Sequence, residues 1–123
     1  MVLVDTSLWI EVLRERGDAQ ARQRVTELVE EGEAAWCDAV KLELWNGRAG
    51  EAERKMFERL DKVVTTLPIN DHVWALSHEL AAKARAKGLS APAFDVLIAA
   101  CGAHHNVPVD SRDKHFHDLA TLG

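Results

Sequence analysis

The chain has 123 residues, 47% of them hydrophobic and 28% charged, which fits one globular domain over residues 1–123 with a core of its own. A net charge of −5 and a pI near 5.6 argue against a generally basic nucleic-acid binder, although bases recur in clusters such as Arg22/Arg24, Lys83/Arg85/Lys87 and Arg112/Lys114. No apolar run approaches membrane-spanning length. Asp5 also interrupts the first apolar stretch with no basic segment before it, so neither a signal peptide nor a membrane association is expected and the expected compartment is the cytoplasm.

In chain order, residues 2–4 read as a short strand, followed by a helix from about residue 7 to 14 that Gly17 ends. A second helix over about 19–30 carries Ala21, Val25, Leu28 and Val29 on one face and stops at Gly32. Residues 34–37 form a second strand, 39–48 a helix and 51–63 a charged helix; 64–67 is a third strand closed by Pro68. Over about 71–86, Val73, Leu76, Leu80 and Ala84 keep helical step, with Asn70 as N-cap and Gly88 as stop. A helix over 92–104, a fourth strand over 107–109 and a last helix over about 115–122 complete the chain. Strands that alternate with helices predict a short parallel sheet flanked by helices, a helix-rich α/β/α sandwich. Cys37 and Cys101 sit in apolar surroundings without CxxC spacing and read as reduced core residues.

Four acids occupy positions suited to chemistry. Asp5 ends the first strand, and in open α/β sheets ligands bind outside the carboxyl ends of the strands. Asp5 also suits a helix N-cap, as do Thr6 and Ser7, but capping does not account for an acid that directly ends a buried strand. Glu43 shares a helix face with Val40, Leu44 and Gly47, where an unpaired charge is costly, so it needs a cation or a buried basic partner. Asp95 flanks the stripe Phe94, Leu97, Ile98 and Cys101 near a helix start, where the positive helix end favours an acid in any case. Asp113 follows the fourth strand; Asp110 ends that strand directly and competes with it for the same role, with helix capping open to both. Convergent carboxylates with no base among them call for a hard cation, Mg²⁺ or Mn²⁺. The combination carries this argument, not any one position.

These motifs resemble the PIN-domain family and, within it, the VapC-type toxins of bacterial and archaeal toxin–antitoxin pairs. Val4-Asp5-Thr6-Ser7-Leu8-Trp9-Ile10 is similar to the family's first motif, and Glu43 in residues 40–47 to the second. Phe94-Asp95 with residues 96–100 is similar to the third. Ser111-Arg112-Asp113-Lys114-His115-Phe116 is similar to the last, with Ser111 where the family often has Thr. The resemblance spans the whole chain. It implies a PIN-like fold and a Mg²⁺-dependent endoribonuclease, with Mn²⁺ as substitute, whose metal ligands are Asp5, Glu43, Asp95 and Asp113. Ser7 supports that site through its hydroxyl. Asp110 departs from the pattern, since the family has an apolar or small residue there. The implied partners are an RNA substrate, a cognate antitoxin protein and a second copy in a homodimer.

Phosphodiester hydrolysis needs an activated water and relief of the charge that builds on phosphorus, both within reach of a carboxylate-held cation. Without the cation the acids repel one another, and at least one pKa should rise. Arg112 and Lys114 flank Asp113 as phosphate contacts, or as a solvated charge run. The histidines lack zinc spacing and read as surface residues, with His115 near enough to touch RNA. Trp36 belongs to the core, and Trp9 and Trp45, beside two of the motifs, are the tryptophans expected to face a partner. Leu42, Trp45 and Ala49 form a second apolar face on the Glu43 helix. Two rivals remain. A response-regulator-like phosphoacceptor domain also places acids at strand ends, but it needs a Lys after the last strand, where Asp110 and Ser111 stand here. A catalytically silent PIN-like binding module would not need the four acids to meet.

Overall fold

The computed structural model describes residues 1–47 and 50–122. In chain order the elements are β1 (Val2–Val4), α1 (Thr6–Leu13), α2 (Ala19–Glu30), β2 (Ala34–Trp36), α3 (Asp38–Gly47), α4 (Glu51–Val63), β3 (Thr65–Thr66), α5 (Asp71–Ala86), α6 (Ala93–His104), β4 (Val109–Asp110) and α7 (His115–Ala120). The expected helix end at Arg48 and the apolar position Ala49 lie outside the described residues. No helix among those described is long and apolar enough to cross a membrane.

The strands form one parallel sheet in the order β3-β2-β1-β4, with Leu3 opposite both Ala35 and Val109. The chain steps from β1 to β2 to β3 in one direction, then returns through α5 and α6 to the far edge beside β1. Parallel crossovers are right-handed, so this reversal puts α1–α4 on one face and α5–α6 on the other. The expected α/β sandwich follows, and a switch point opens between β1 and β4 at their carboxyl ends. A response-regulator domain is excluded by the same topology, because the flavodoxin-like order begins 2-1-3.

The helix bounds follow local signals. Asp18 accepts from Ala21 N at 2.9 Å to open α2, and Asn70 accepts from Val73 N at 3.0 Å to open α5. The turns after α2 and α5 pass through Gly32 and Gly88 at φ of 70° and 71°. The second and third strands are shorter than the expected 34–37 and 64–67, and two further expectations shift. The fourth strand lies at 109–110, not 107–109, because Val107 N–H closes the turn after α6 on Gly102 O at 2.8 Å, while Asp5 N–H donates to Asp110 O at 2.9 Å and draws Asp110 into the ladder. The first helix ends at Leu13, and Gly17 serves another purpose: a Cβ there would stand 1.8 Å from the Glu11 carbonyl oxygen, so the loop passes α1 only with glycine.

Leu3, Val4, Ala34, Ala35 and Trp36 of the two central strands are all buried, and helices cover them on both sides. Trp9 packs tilted against Trp36 with ring centroids 5.0 Å apart, and Trp36 stacks at 5.3 Å on Phe57. This corrects the expectation for Trp9. It is 0% exposed and its indole N–H donates to Val4 O at 2.9 Å, so it meets no partner. Its ring bridges sheet and helices, which short apolar helices such as α1 require to bury enough area. Cys37 and Cys101 are buried free thiols beside one another, as expected.

Candidate active site

The site grows out of the switch point. α1 starts where β1 stops, so Asp5 both ends the strand and caps the helix, with its Oδ2 accepting from Ser7 N at 3.2 Å. Asp5 is 2% exposed. The Ser7 hydroxyl, at 2.9 Å, and the Ser111 hydroxyl, at 2.8 Å, both donate to the same Oδ2. Ser7 Oγ in turn accepts from Arg112 N at 3.0 Å, and Ser111 Oγ from Asp113 N at 2.9 Å. The two loops that leave β1 and β4 are thus laced together through one carboxylate oxygen. Among the described residues Asp5 Oδ1 receives no hydrogen bond, which leaves it for the crevice. The capping role and the site role are the same geometry.

Glu43 reaches the crevice from α3, half-buried, and Thr6 Oγ1 donates to its Oε1 at 2.7 Å. Asp95 comes from the first turn of α6 and is 7% exposed, deeper than a flanking position suggests. Asp113 enters from the loop after β4 and is exposed. His115, which opens α7, places Nδ1 3.0 Å from Asp95 Oδ2. One donor atom from each of Asp95, Asp113 and His115 lies within 4.8 Å of the others.

The charges sense one another. Burial raises the Glu43 pKa, the Thr6 hydrogen bond opposes this, and repulsion from Asp5, Asp95 and Asp113 adds to the rise. Burial likewise raises the Asp95 pKa, against the His115 hydrogen bond, and the charges of Asp5 and Asp113 raise it further. The four acids named from the sequence therefore share one electrostatic neighbourhood, drawn from β1, α3, α6 and the β4–α7 loop. Among the described residues no basic side chain pairs with Glu43; its hydrogen bond comes from Thr6.

Other sequence candidates lie elsewhere or face elsewhere. Asp110 sends its side chain to Arg24 of α2, with which it forms an ion pair beside the acids. Arg112 lends its backbone N–H to the site, but its guanidinium pairs with Glu11 Oε1 at 3.1 Å. Lys114 is exposed at the start of α7. Leu42 is 57% exposed, and Trp45 shows part of its ring beneath Arg54. His105 Nε2 meets Pro68 O at 2.7 Å, and His104 lies exposed beside it. Sequence reading gave Thr6 only a capping role and placed His115 on the surface. Both stand beside motif acids, which was the available signal.

The donor set fits a divalent cation. Among the described residues the donor atoms close enough to share one ion come from Asp95, Asp113 and His115, two carboxylates and an imidazole with no Lys or Arg, while Glu43, like Asp95, is held at a cost that a nearby cation would lower. Known proteins agree with this architecture. A family model described as PIN domain matches residues 2–122. The VapC ribonuclease Mb1587 of Mycobacterium bovis and the ribonuclease VapC11 of Mycobacterium tuberculosis are each 29% identical over 126 aligned residues, covering 99% of this chain and 93% of theirs. Among solved structures, VapBC2 from Rickettsia felis, bound to a DNA fragment from its promoter, superposes with a TM-score of 0.82 at 16% identity and covers 99% of this chain and 96% of its own. FitAcB from Neisseria gonorrhoeae gives 0.78 at 23% identity, covering 100% and 95%. With a family model that matches residues 2–122, nearly the whole chain, the chain belongs to the PIN domain family.

Proposed function

We propose that this protein is a divalent-cation-dependent endoribonuclease, the toxin of a toxin–antitoxin pair. The observation that carries the reading is the close set Asp95, Asp113 and His115, with Asp5 and Glu43 near enough for the acids to repel one another. The ribonuclease names of the relatives and the paired complexes among the structural neighbours support it. A silent binding module would carry the repulsion among these acids to no end.

Asp5, Glu43, Asp95 and Asp113 would hold Mg²⁺ or Mn²⁺. When bound, the cation offsets negative charge at phosphorus and acidifies water. The chain's own residues do the rest. Ser7 and Ser111 fix Asp5 through Oδ2 and leave Oδ1 without a hydrogen bond among the described residues, and Thr6 fixes Glu43. Asp110 and Arg24 tie the end of β4 to α2 and so hold the loop that carries Ser111 and Asp113. Lys114 lies exposed next to Asp113, where an RNA phosphate can meet it, whereas Arg112 first has to leave Glu11. The test is cleavage of RNA by the purified protein with Mg²⁺ or Mn²⁺, its loss with chelator, and its loss in Asp5→Asn with the fold intact. Cleavage that survives both would overturn the reading.

Restraint by an antitoxin follows from the same charge. An Arg of the partner would pair with Asp5, Glu43 and Asp95, since its planar fork suits carboxylates. An amphipathic helix of that partner would lie on the exposed apolar edge of α3 at Leu42 and Trp45; Trp9, being buried, takes no part. Replacing that Arg by Ala should weaken the complex by several kcal/mol. A partner that binds elsewhere and leaves cleavage untouched would refute this mechanism alone. A homodimer is supported by exposed Trp74 and the groove of about 650 Å³ that it lines with Phe94 and Leu97 between α5 and α6. Trp74→Arg should then give monomers in sedimentation.

A further inference from the structure

The acids at the switch point have a companion of different chemistry. His115 opens α7, and the next residue, Phe116, is 6% exposed and packs into the main core. That anchor fixes where the His115 ring stands. Its Nδ1 lies 3.0 Å from Asp95 Oδ2, and a donor atom of Asp113 is within 4.8 Å of both. Two ligands at right angles on an ion with bonds of about 2.1 Å stand about 3.0 Å apart. The His115–Asp95 pair thus already has the spacing of neighbouring ligands.

We propose that His115 donates a ring nitrogen to the cation and that the site therefore prefers Mn²⁺ to Mg²⁺. The inference rests on the reading of the acids as a cation site and specifies its donors. Mg²⁺ is a hard ion that seeks oxygen and keeps its waters, whereas imidazole favours transition ions. A site of carboxylates alone discriminates little between Mg²⁺ and Mn²⁺; one nitrogen among them tilts the balance to Mn²⁺. The competing arrangement is His115 as an outer partner that donates N–H to Asp95 and never touches the ion. The two arrangements differ in whether nitrogen is bonded to the metal.

The experiment is pulsed paramagnetic resonance of Mn²⁺ on the whole protein, with melting temperatures measured in Mn²⁺ and in Mg²⁺. Wild type should show hyperfine coupling to a directly bound nitrogen, with the pattern altered when histidine carries the heavy nitrogen isotope. His115→Gln should still bind Mn²⁺ but lose that coupling, and the ratio of Mn²⁺ to Mg²⁺ affinity should fall roughly tenfold or more. His115→Asp should bind the ion through oxygen ligands only and shift preference toward Mg²⁺. Melting in chelator should be similar for all three and so separate ligand loss from misfolding. Mn²⁺ bound without nitrogen coupling, or a ratio unchanged in His115→Gln, overturns the inference and leaves the cation site standing. No stabilisation of wild type by either ion overturns the cation site and this inference together.

Discussion

Glu43 and Asp95 are disfavoured in their charged forms by burial and by their neighbours, in that order. A carboxylate whose folded pKa lies above its unfolded value contributes stability below the unfolded value, and that contribution is lost as pH rises through the folded one. For Glu43 the loss begins above its ordinary value of 4.5, so at neutral pH the cation-free protein carries a cost there. Glu43→Gln should raise the melting temperature of chelated protein at neutral pH, and the gain should vanish below the ordinary glutamate range. In saturating cation the sign should reverse, because a ligand is gone; thermal melts over a pH series with and without cation check both halves. Asp113 and Asp110 separate on the same scale. Asp113→Ala should abolish cleavage, whereas Asp110→Ala should keep most of it and cost up to about 1 kcal/mol, since its partner Arg24 is largely solvent-exposed. The reverse result would move the fourth acid to Asp110.

Between elements, the connection to watch runs from α1 to the loop after β4. Glu11, 8% exposed on α1, receives Arg112 and Arg14, each at 3.1 Å, and Asp18 N–H at 3.2 Å. Arg112 stands between Ser111 and Asp113, so Glu11 steadies the strip of chain that bears both. Glu11→Ala should cost about 1–3 kcal/mol, as expected when hydrogen-bonded donors lose a charged acceptor, and should lower kcat more than it raises KM. Gly17→Ala should cost a similar amount, since its new methyl meets backbone that cannot turn aside. Urea titrations and steady-state cleavage would measure both. The same elements show what a sequence discloses. The bounds of α2, α4 and α5 were legible because caps, glycines and apolar step are local signals. β4 was misplaced by a residue at its end because its partner is β1, about a hundred positions away. Likewise, the motif acids were legible as types at spacings. That Asp110 turns to Arg24, Arg112 to Glu11 and His115 to Asp95 depends on distant chain meeting distant chain, which no window of sequence displays. Trp9 misled for a related reason: a helix of eight residues is too short for periodicity to say which face is covered.

For the molecule as a whole, a cation bound only by the folded state stabilises it by mass action, about 2.7 kcal/mol at a hundredfold excess over Kd. A rise in melting temperature with Mn²⁺ or Mg²⁺, reduced in Asp5→Asn, is the expected result, and a flat response would count against the site as a cation centre. The lacing of Ser7 to Ser111 and of β1 to β4 has a further consequence, for timing during synthesis. A chain leaves the ribosome from its N-terminus, and β1, Glu43 and Asp95 emerge well before β4 does. Until Val109 and Asp110 add to the sheet edge, Asp5 lacks Ser111 and the crevice lacks Asp113. On the reading proposed above, the site of such a nuclease is incomplete until the residues that follow β4 have emerged. Stalled nascent chains that end before residue 109 should neither bind Mn²⁺ at the site nor cut RNA, and chains released after α7 should do both.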